Sequence, residues 1–424
     1  MEVMAVTSFI ICGERKLSGR LWIHGAKNAA LPILAAAILH PGTTVLHQCP
    51  DILDVRSTLK MLEFAGCVIH KEADTVIIDA ADIHPCGFPT DWVSGMRSSI
   101  LFLGAMLGRC GETCLDYPGG CSIVSRPVDI HLKALEKMGV TVVESDGKIH
   151  CCSSRLKGCR IRLPYPSVGA TENILMAAAR AEGVTVLENA AREPEIDDLC
   201  GFLCAIGVPV CSDGRGRIWI DGNSRTKDAV YTIMPDRIVS GTYLCAAAAT
   251  GGSLELPNGI PAHLEAVLEI FERMGCSVER GRRQGIYMKA PARLKAAGHI
   301  HTAPFPGFPT DMQSQIMAVL AKAGDVSRIY EHIFEDRFKT VYELRKMGAD
   351  IWTDSSMAVV RGKEKLYGAR VRASDLRGGA ALIIAGLAAE GETVVENGLF
   401  VERGYQNICG DLKKIGACIC HTEN

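Results

Sequence analysis

Cys121 follows Pro118, Gly119 and Gly120 and stands five residues before Arg126 in the run PGGCSIVSRPVD. Two glycines free the backbone around the thiol, and a nearby guanidinium favours the thiolate. That is the setting of a reactive cysteine, able to act as an acid or as a nucleophile. The chain has 18 cysteines, and most cysteines are buried packing residues. Cys151, Cys152, Cys200, Cys204, Cys418 and Cys420 are read that way. Asp311 is a second candidate. In FPTDMQ it follows Pro309 and Thr310 at a predicted helix start, where an aspartate serves either as an N-cap or as a general base. Lys27 and Asn28 open another predicted helix in GAKNAA. A cation there opposes the helix dipole, so a compensating anion is expected beside Lys27.

Arginines recur at one slot. Arg126 in SRPVD, Arg337 in EDRF and Arg403 in ERGY lie 13, 11 and 13 residues before a glycine that closes a helix. Arg97 in SGMRSS, and Asp375 with Arg377 in ASDLRG, stand at the starts of small-residue helices. A helix N-terminus presents unpaired N–H groups and partial positive charge, and arginine adds a planar fork matched to carboxylate and phosphate oxygens. Several such ends converging predict a pocket for small molecules bearing several negative charges. The alternative is that each arginine caps or salt-bridges its own neighbour. His131, one turn into the helix after RPVD, is read as an orienting residue. Glu193 and Glu195 in REPEID are read as a solvated or loop-bracing pair.

The elements that must hold these groups repeat six times. MLEFAGCVI, ALEKMGVTVV, FLCAIGVPV, IFERMGCSV, ELRKMGADI and DLKKIGACI each end a helix on a glycine and continue as an apolar strand. Their glycines, Gly66, Gly139, Gly207, Gly275, Gly348 and Gly416, are 73, 68, 68, 73 and 68 residues apart. Glycine suits a helix C-terminus because it takes the left-handed conformation without steric cost. A second ladder, Gly42, Gly111, Gly183, Gly252, Gly324 and Gly391, runs 23 to 28 residues upstream and opens short strands such as GTTVLHQ and GETVVEN. Each unit reads strand, alanine-rich helix, strand, polar loop, helix, strand. The alanine-rich helices, among them AALPILAAAIL and ALIIAGLAA, are expected to be buried against their neighbours. A period of about 70 residues is too long for a solenoid. Three units in each of two pseudo-symmetric compact domains fit the 424 residues.

Composition narrows the function classes. With 48% apolar residues, 22% charged residues and a formal net charge of -2, the chain is a packed globular protein without the net positive field that holds nucleic acid. Residues 29–39 form an apolar stretch about half as long as a membrane span. Residues 1–17 lack a charged start and a long apolar run before a small-residue cleavage site. The expectation is a cytoplasmic protein with reduced thiols and no membrane partner. CxxC, HExxH, Walker A and GxGxxG patterns do not occur, so neither a metal nor a bound cofactor is expected. Oligomeric state is not encoded in any of these features.

GAKNAALPILAA, MRSSI, PGGCSIVSRPVDIHL, PYPSVGATENI, NAAREPEI, FPTDMQ, DLR and ERGY, in this order between about Gly13 and Gly416, resemble the signatures of the UDP-N-acetylglucosamine 1-carboxyvinyltransferase family. The segment PYPSVGATENI looks most like the form found in Gram-positive bacteria. The resemblance implies two inside-out α/β domains, each of three βαβαββ repeats. Residues 23–234 would form one domain, carrying the cysteine loop, and residues 1–22 plus 235–424 the other. It implies transfer of the enolpyruvyl group of phosphoenolpyruvate to the 3-hydroxyl of UDP-N-acetylglucosamine with release of phosphate, the first committed step of peptidoglycan precursor synthesis. No cofactor takes part.

By the same resemblance Cys121 is the acid and the target of the epoxide fosfomycin, and Asp311 is the base toward the sugar hydroxyl. Lys27 and Asn28 contact phosphoenolpyruvate or the sugar nucleotide, and Arg97 meets the anionic substrates beside them. Arg126, Pro127, Val128, Asp129 and Ile130 line the uridine site. Ser167 and Val168 hold the diphosphate, while Asp311 and Ile333 meet the sugar. Arg403, with Arg337 and Arg377, completes a cationic wall as the domains close and exclude water, and Asp375 is a further substrate contact.

Four positions depart from the family pattern. Val124 replaces a usual glycine, Tyr165 a lysine found in some members, Val239 in PDRIVSGT a usual glutamate, and Asp336 a frequent asparagine. None removes a proposed catalytic group. Two other readings stay open. A shikimate 3-phosphate enolpyruvyl transferase shares the fold, but that branch lacks the loop cysteine of PGGC. A non-catalytic copy would bind nucleotide sugars and regulate a partner.

Overall fold

The computed structural model describes residues 7–95, 97–117 and 128–423. They form two compact units. One holds residues 7–23 and 235–423, the other residues 24–95, 97–117 and 128–234. Ile23 belongs to the first: Asn258 accepts from its N–H at 2.9 Å and donates to its carbonyl at 2.7 Å.

Each unit is built around three buried helices. In the first unit these are Arg237–Ala249, Gln313–Leu320 and Leu376–Ala388. Arg237–Ala249 is buried at all 13 positions, and Leu376–Ala388 packs on both of the others. In the second unit they are Lys27–Ala36, Leu101–Cys110 and Val168–Ala178. A helix buried all round needs no polar face, and small residues let its neighbours come close. A Cβ on Gly104 would lie 2.2 Å from the carbonyl oxygen of Asn173 in the adjoining helix. The alanine-rich segments therefore form the core.

Among the described residues six small sheets surround these helices. The sheet holding Arg160–Arg162 and Val184–Glu188 shows the pattern. Leu187 pairs in parallel with Ile161 and antiparallel with Ile218. Burial alternates along Val184–Glu188, so one face packs on the core and the other meets solvent. All six closing glycines have φ between +89° and +110°, which ends each outer helix and turns the chain into its next strand. A hairpin then returns it as one more strand, such as Arg217–Asp221 after Val210–Ser212. The repeat is therefore βαβαββ, one strand longer than the two glycine ladders mark.

Four sheets vary this scheme. Ala229–Thr232 pairs in parallel with Thr43–His47, and Ser18–Arg20 with Ser253–Leu256. In the sixth repeat Thr7–Cys12 sits between Glu392–Glu396 and Cys418–Glu423, taking the place that Arg217–Asp221 holds in the third. In the second repeat the parallel partner shrinks to one bridge, Gly87 to Cys114. Among the described residues no helix is long and apolar enough to cross a membrane.

Candidate active site

Asp311 lies in the short turn Thr310–Met312 that leads into Gln313–Leu320. It does not cap the turn, since Pro309 holds the cap position without a side-chain bond. Its carboxylate faces two guanidinium groups. Arg337 Nη2 donates to Oδ1 at 2.7 Å, while Arg377 Nη2 and Nε donate to Oδ2 at 2.9 and 3.2 Å. Both arginine side chains are 5% exposed, against 30% for Asp311. Solvent therefore reaches the carboxylate and not the cations behind it. Arg337 also donates to the carbonyl of Thr310 from Nε and Nη2, at 3.3 and 3.2 Å. Burial works to lower the pKa of Arg377, but the charge of Asp311, with Tyr405 and Asp236, outweighs it and drives the net shift upward. A buried cation survives only with such a partner.

The other predicted groups of this unit flank that centre. Asp375 caps Leu376–Ala388, accepting from the N–H groups of Arg377 and Gly378 at 2.9 Å each, and so sets the start of the helix that carries Arg377. Arg403 is half-buried at the C-cap of Leu399–Glu402. The Tyr405 phenol lies 2.8 Å from Thr242 Oγ1. Ile333 is half-buried and donates its N–H to Glu331 at 2.8 Å.

In the second unit Lys27 begins Lys27–Ala36, with Asn28 half-buried beside it. The anion that Lys27 requires is Asp54, from the helix Leu53–Phe64. Nζ and Oδ2 are 2.5 Å apart, with side chains 12% and 8% exposed. Ser167 caps Val168–Ala178, accepting from Ala170 N at 3.4 Å. The start of that helix meets the start of Asp129–Lys137: a Cβ on Gly169 would lie 3.1 Å from His131 Cε1. His131 is itself oriented, its Nδ1 2.9 Å from Asn173 Nδ2, while Asn173 Oδ1 accepts from Gly104 N at 2.7 Å. Val128, Asp129 and Ile130 are half-buried. Lys133 donates to Asp129 at 2.9 Å and is the main cause of its lowered pKa. Arg97 opens the turn Arg97–Ile100. Cys121, Arg126 and Pro127, with the departure at Val124, lie outside the described residues.

Some sequence expectations need correction. Glu195 is not solvated but 3% exposed. Its neighbour Glu172, inside Val168–Ala178, has its pKa pushed up to about 8 by burial and then by the charges of Glu195 and Glu193. An acidic residue within an otherwise uncharged helix was the one signal for it. Cys151 and Cys200 are buried packing residues, whereas Cys152, Cys204 and Cys420 are exposed. Asp54 and Glu331 belong to no motif, and only their partners give them meaning. Among the described residues no group of three His, Cys, Asp or Glu side chains is placed to hold a metal ion.

Comparison with known proteins agrees with the fold. Residues 11–412 match the family model described as EPSP synthase (3-phosphoshikimate 1-carboxyvinyltransferase). The chain is 46% identical over 411 residues to UDP-N-acetylglucosamine 1-carboxyvinyltransferase 2 of Caldanaerobacter subterraneus subsp. tengcongensis, covering 97% of this chain and 98% of that one. It is 45% identical over 414 residues to UDP-N-acetylglucosamine 1-carboxyvinyltransferase of Lawsonia intracellularis, covering 97% and 99%. Among solved structures, the enolpyruvyl transferase NikO from Streptomyces tendae aligns with a TM-score of 0.88 at 25% identity, covering 99% of this chain and 100% of that one. EPSP synthase from Acinetobacter baumannii, at 21% identity, aligns with a TM-score of 0.77 over 99% of this chain and 100% of that one and shows the fold alone. Two units of three βαβαββ repeats, with near-complete coverage by these relatives, place the chain in the EPSP synthase family of enolpyruvyl transferases, enzymes that transfer carboxyvinyl groups.

Proposed function

We propose that this enzyme transfers the enolpyruvyl group of phosphoenolpyruvate to the 3-hydroxyl of UDP-N-acetylglucosamine, releasing phosphate, and so feeds peptidoglycan precursor synthesis. The observation that carries the chemistry is Asp311, a partly exposed carboxylate gripped from behind by two buried guanidinium groups. A general base needs a fixed position and an open approach, and this arrangement has both. The names of the relatives at 46% and 45% identity support the acceptor.

The reaction is addition followed by elimination. The sugar hydroxyl attacks C2 of phosphoenolpyruvate while a proton is added at C3, and Asp311 takes the hydroxyl proton. Phosphate then leaves and C3 loses a proton, restoring the double bond. In this reading Cys121 supplies the C3 proton and is the residue that fosfomycin alkylates. Lys27, steadied by Asp54, joins Asn28, Arg97, Arg126 and Arg403 in binding the phosphate and carboxylate oxygens. Ser167 and Val168 offer a helix N-terminus to the diphosphate. Pro127, Val128, Asp129 and Ile130 take the uridine, and Ile333 meets the sugar. Arg337 and Arg377 act through Asp311, and Asp375 acts through the cap that sets Arg377. The reading includes a cytoplasmic location and roles in cell-wall formation, cell shape and division.

Phosphate release with phosphoenolpyruvate and each acceptor in turn tests it. Release with UDP-N-acetylglucosamine alone is expected. Release with shikimate 3-phosphate would move the chain to the other branch, and release with neither would remove the catalytic reading.

A further inference from the structure

Glu331 lies just past the strand Val326–Tyr330 and is 4% exposed. Its carboxylate accepts four hydrogen bonds from three stretches of chain. Oε1 accepts from Thr302 Oγ1 at 2.9 Å and from the N–H groups of Ile333 and Phe334 at 2.8 and 3.1 Å. Oε2 accepts from Thr310 Oγ1 at 2.9 Å. Thr302 Oγ1 accepts in turn from the N–H of His332 at 2.9 Å. One oxygen therefore shapes the loop that carries Ile333, and the other holds the residue before Asp311. Arg337 grips the same Thr310 by its carbonyl. Thr310 is thus held by both its side chain and its backbone, and Asp311 has little freedom to drift.

A buried carboxylate is expensive unless its oxygens are bonded. Three of the four donors, Thr310, Ile333 and Phe334, adjoin or belong to the proposed site, and the fourth, Thr302, accepts from His332 beside Ile333. We infer that Glu331 is a positioning residue for the transfer reaction, fixing the Asp311 turn and the Ile333 loop as one body. The inference rests on the roles proposed above for Asp311 and Ile333. Its consequence is a constant separation between the proton acceptor and the sugar contact, in a reaction where an error of about 1 Å costs about a hundredfold in rate.

The bonding pattern dictates which replacements will work. The N–H groups of Ile333 and Phe334 only donate, so the atom facing them must be an oxygen. The Thr310 hydroxyl both donates and accepts. Glutamine meets both demands, with its oxygen toward Ile333 and its amide nitrogen toward Thr310. Alanine meets neither. Thr310→Val cuts only the arm to the Asp311 turn, and Thr302→Val loosens the other loop by removing the bonds of Thr302 to Glu331 and His332 while the Ile333 and Phe334 N–H bonds stay.

The test measures kcat, KM for UDP-N-acetylglucosamine and Tm on the full chain. Glu331→Gln is expected to keep kcat within about threefold, whereas Glu331→Ala loses about tenfold to a hundredfold. Thr310→Val should lower kcat with KM nearly unchanged, and Thr302→Val should raise KM with kcat largely kept. If the threonine variants shift only Tm, or change the same kinetic parameter alike, Glu331 is merely structural and the inference fails. Crystal structures of wild type and Glu331→Ala give a readout independent of turnover, with Glu331→Gln in its place if the alanine variant does not fold. The expected result for the alanine variant is a relative shift of Asp311 and Ile333 of about 1 Å, the scale that matters for rate, and for the glutamine variant no shift. Unmoved positions in Glu331→Ala, or a shift in Glu331→Gln, overturn the inference. An inactive wild type would instead refute the proposed reaction.

Discussion

Arg377 donates twice to one oxygen of Asp311, from Nη2 at 2.9 Å and from Nε at 3.2 Å. The two residues belong to successive repeats, so the contact ties two of the three buried helices of the unit together at their N-terminal ends. A lysine could not reproduce this two-point grip, because an ammonium lacks the planar fork.

Asp311→Asn keeps the shape but removes the base. Turnover is expected to fall by about two to four orders of magnitude, the range of general-base effects. Affinity for UDP-N-acetylglucosamine, measured by calorimetry, should change far less. Removing the counter-charge of a buried arginine should also lower the urea midpoint. Near-normal turnover would take Asp311 out of the mechanism.

Lys27 and Asp54 form an ion pair with both side chains mostly buried. Asp54→Ala removes a buried carboxylate from beside the buried ammonium, and losses of about 3 kcal/mol follow when one member of such a pair is removed. Urea unfolding should show a lower midpoint at an unchanged slope, and KM for phosphoenolpyruvate should rise. An unaltered midpoint would mean that the pair contributes nothing to stability.

Glu172 titrates at about 8 in the folded chain, against an ordinary value of 4.5. Between those values the folded state holds a proton that the unfolded state has released. Stability from this group therefore falls as pH rises from about 4.5 through about 8. Glu172→Gln removes that loss. Its Tm should exceed that of wild type at pH 8, with the gap closing toward pH 5. A gap that widens toward acid pH would show that Glu172 is ionised in the fold.

Cys121 can be tested by chemistry without structural detail. Cys121→Ser should be nearly inactive, because serine is too weak an acid. Cys121→Asp should keep partial activity, since a carboxyl can still deliver a proton. Fosfomycin should label wild type at Cys121 and leave both variants unlabelled, as read by peptide mapping and mass spectrometry. Labelling at another of the 18 cysteines, or normal turnover by Cys121→Ser, would contradict its assigned role.

The six-fold repeat could be read from residue types alone because its punctuation is local. A helix that must end in a left-handed turn demands glycine, and Gly66, Gly139, Gly207, Gly275, Gly348 and Gly416 all adopt that conformation. The alanine-rich helices announced their burial in the same way. Local physics also required an anion beside Lys27. It could not name Asp54.

Tertiary structure decided what depends on distance through space between residues remote in sequence. Ser18–Arg20 completes a sheet with Ser253–Leu256, and Thr7–Cys12 fills the sheet of the sixth repeat. Asp311 by its position alone read as a helix cap, and its contacts with Arg337 and Arg377, 26 and 66 residues away, exist only in the fold. Glu331 looked like any acidic residue after an apolar strand, and its role exists only in donors from three separate segments. Residue type determines what a group can donate, accept or bury. Which partner answers it is determined by the packing of buried helices and sheets, and that packing is a property of the whole unit.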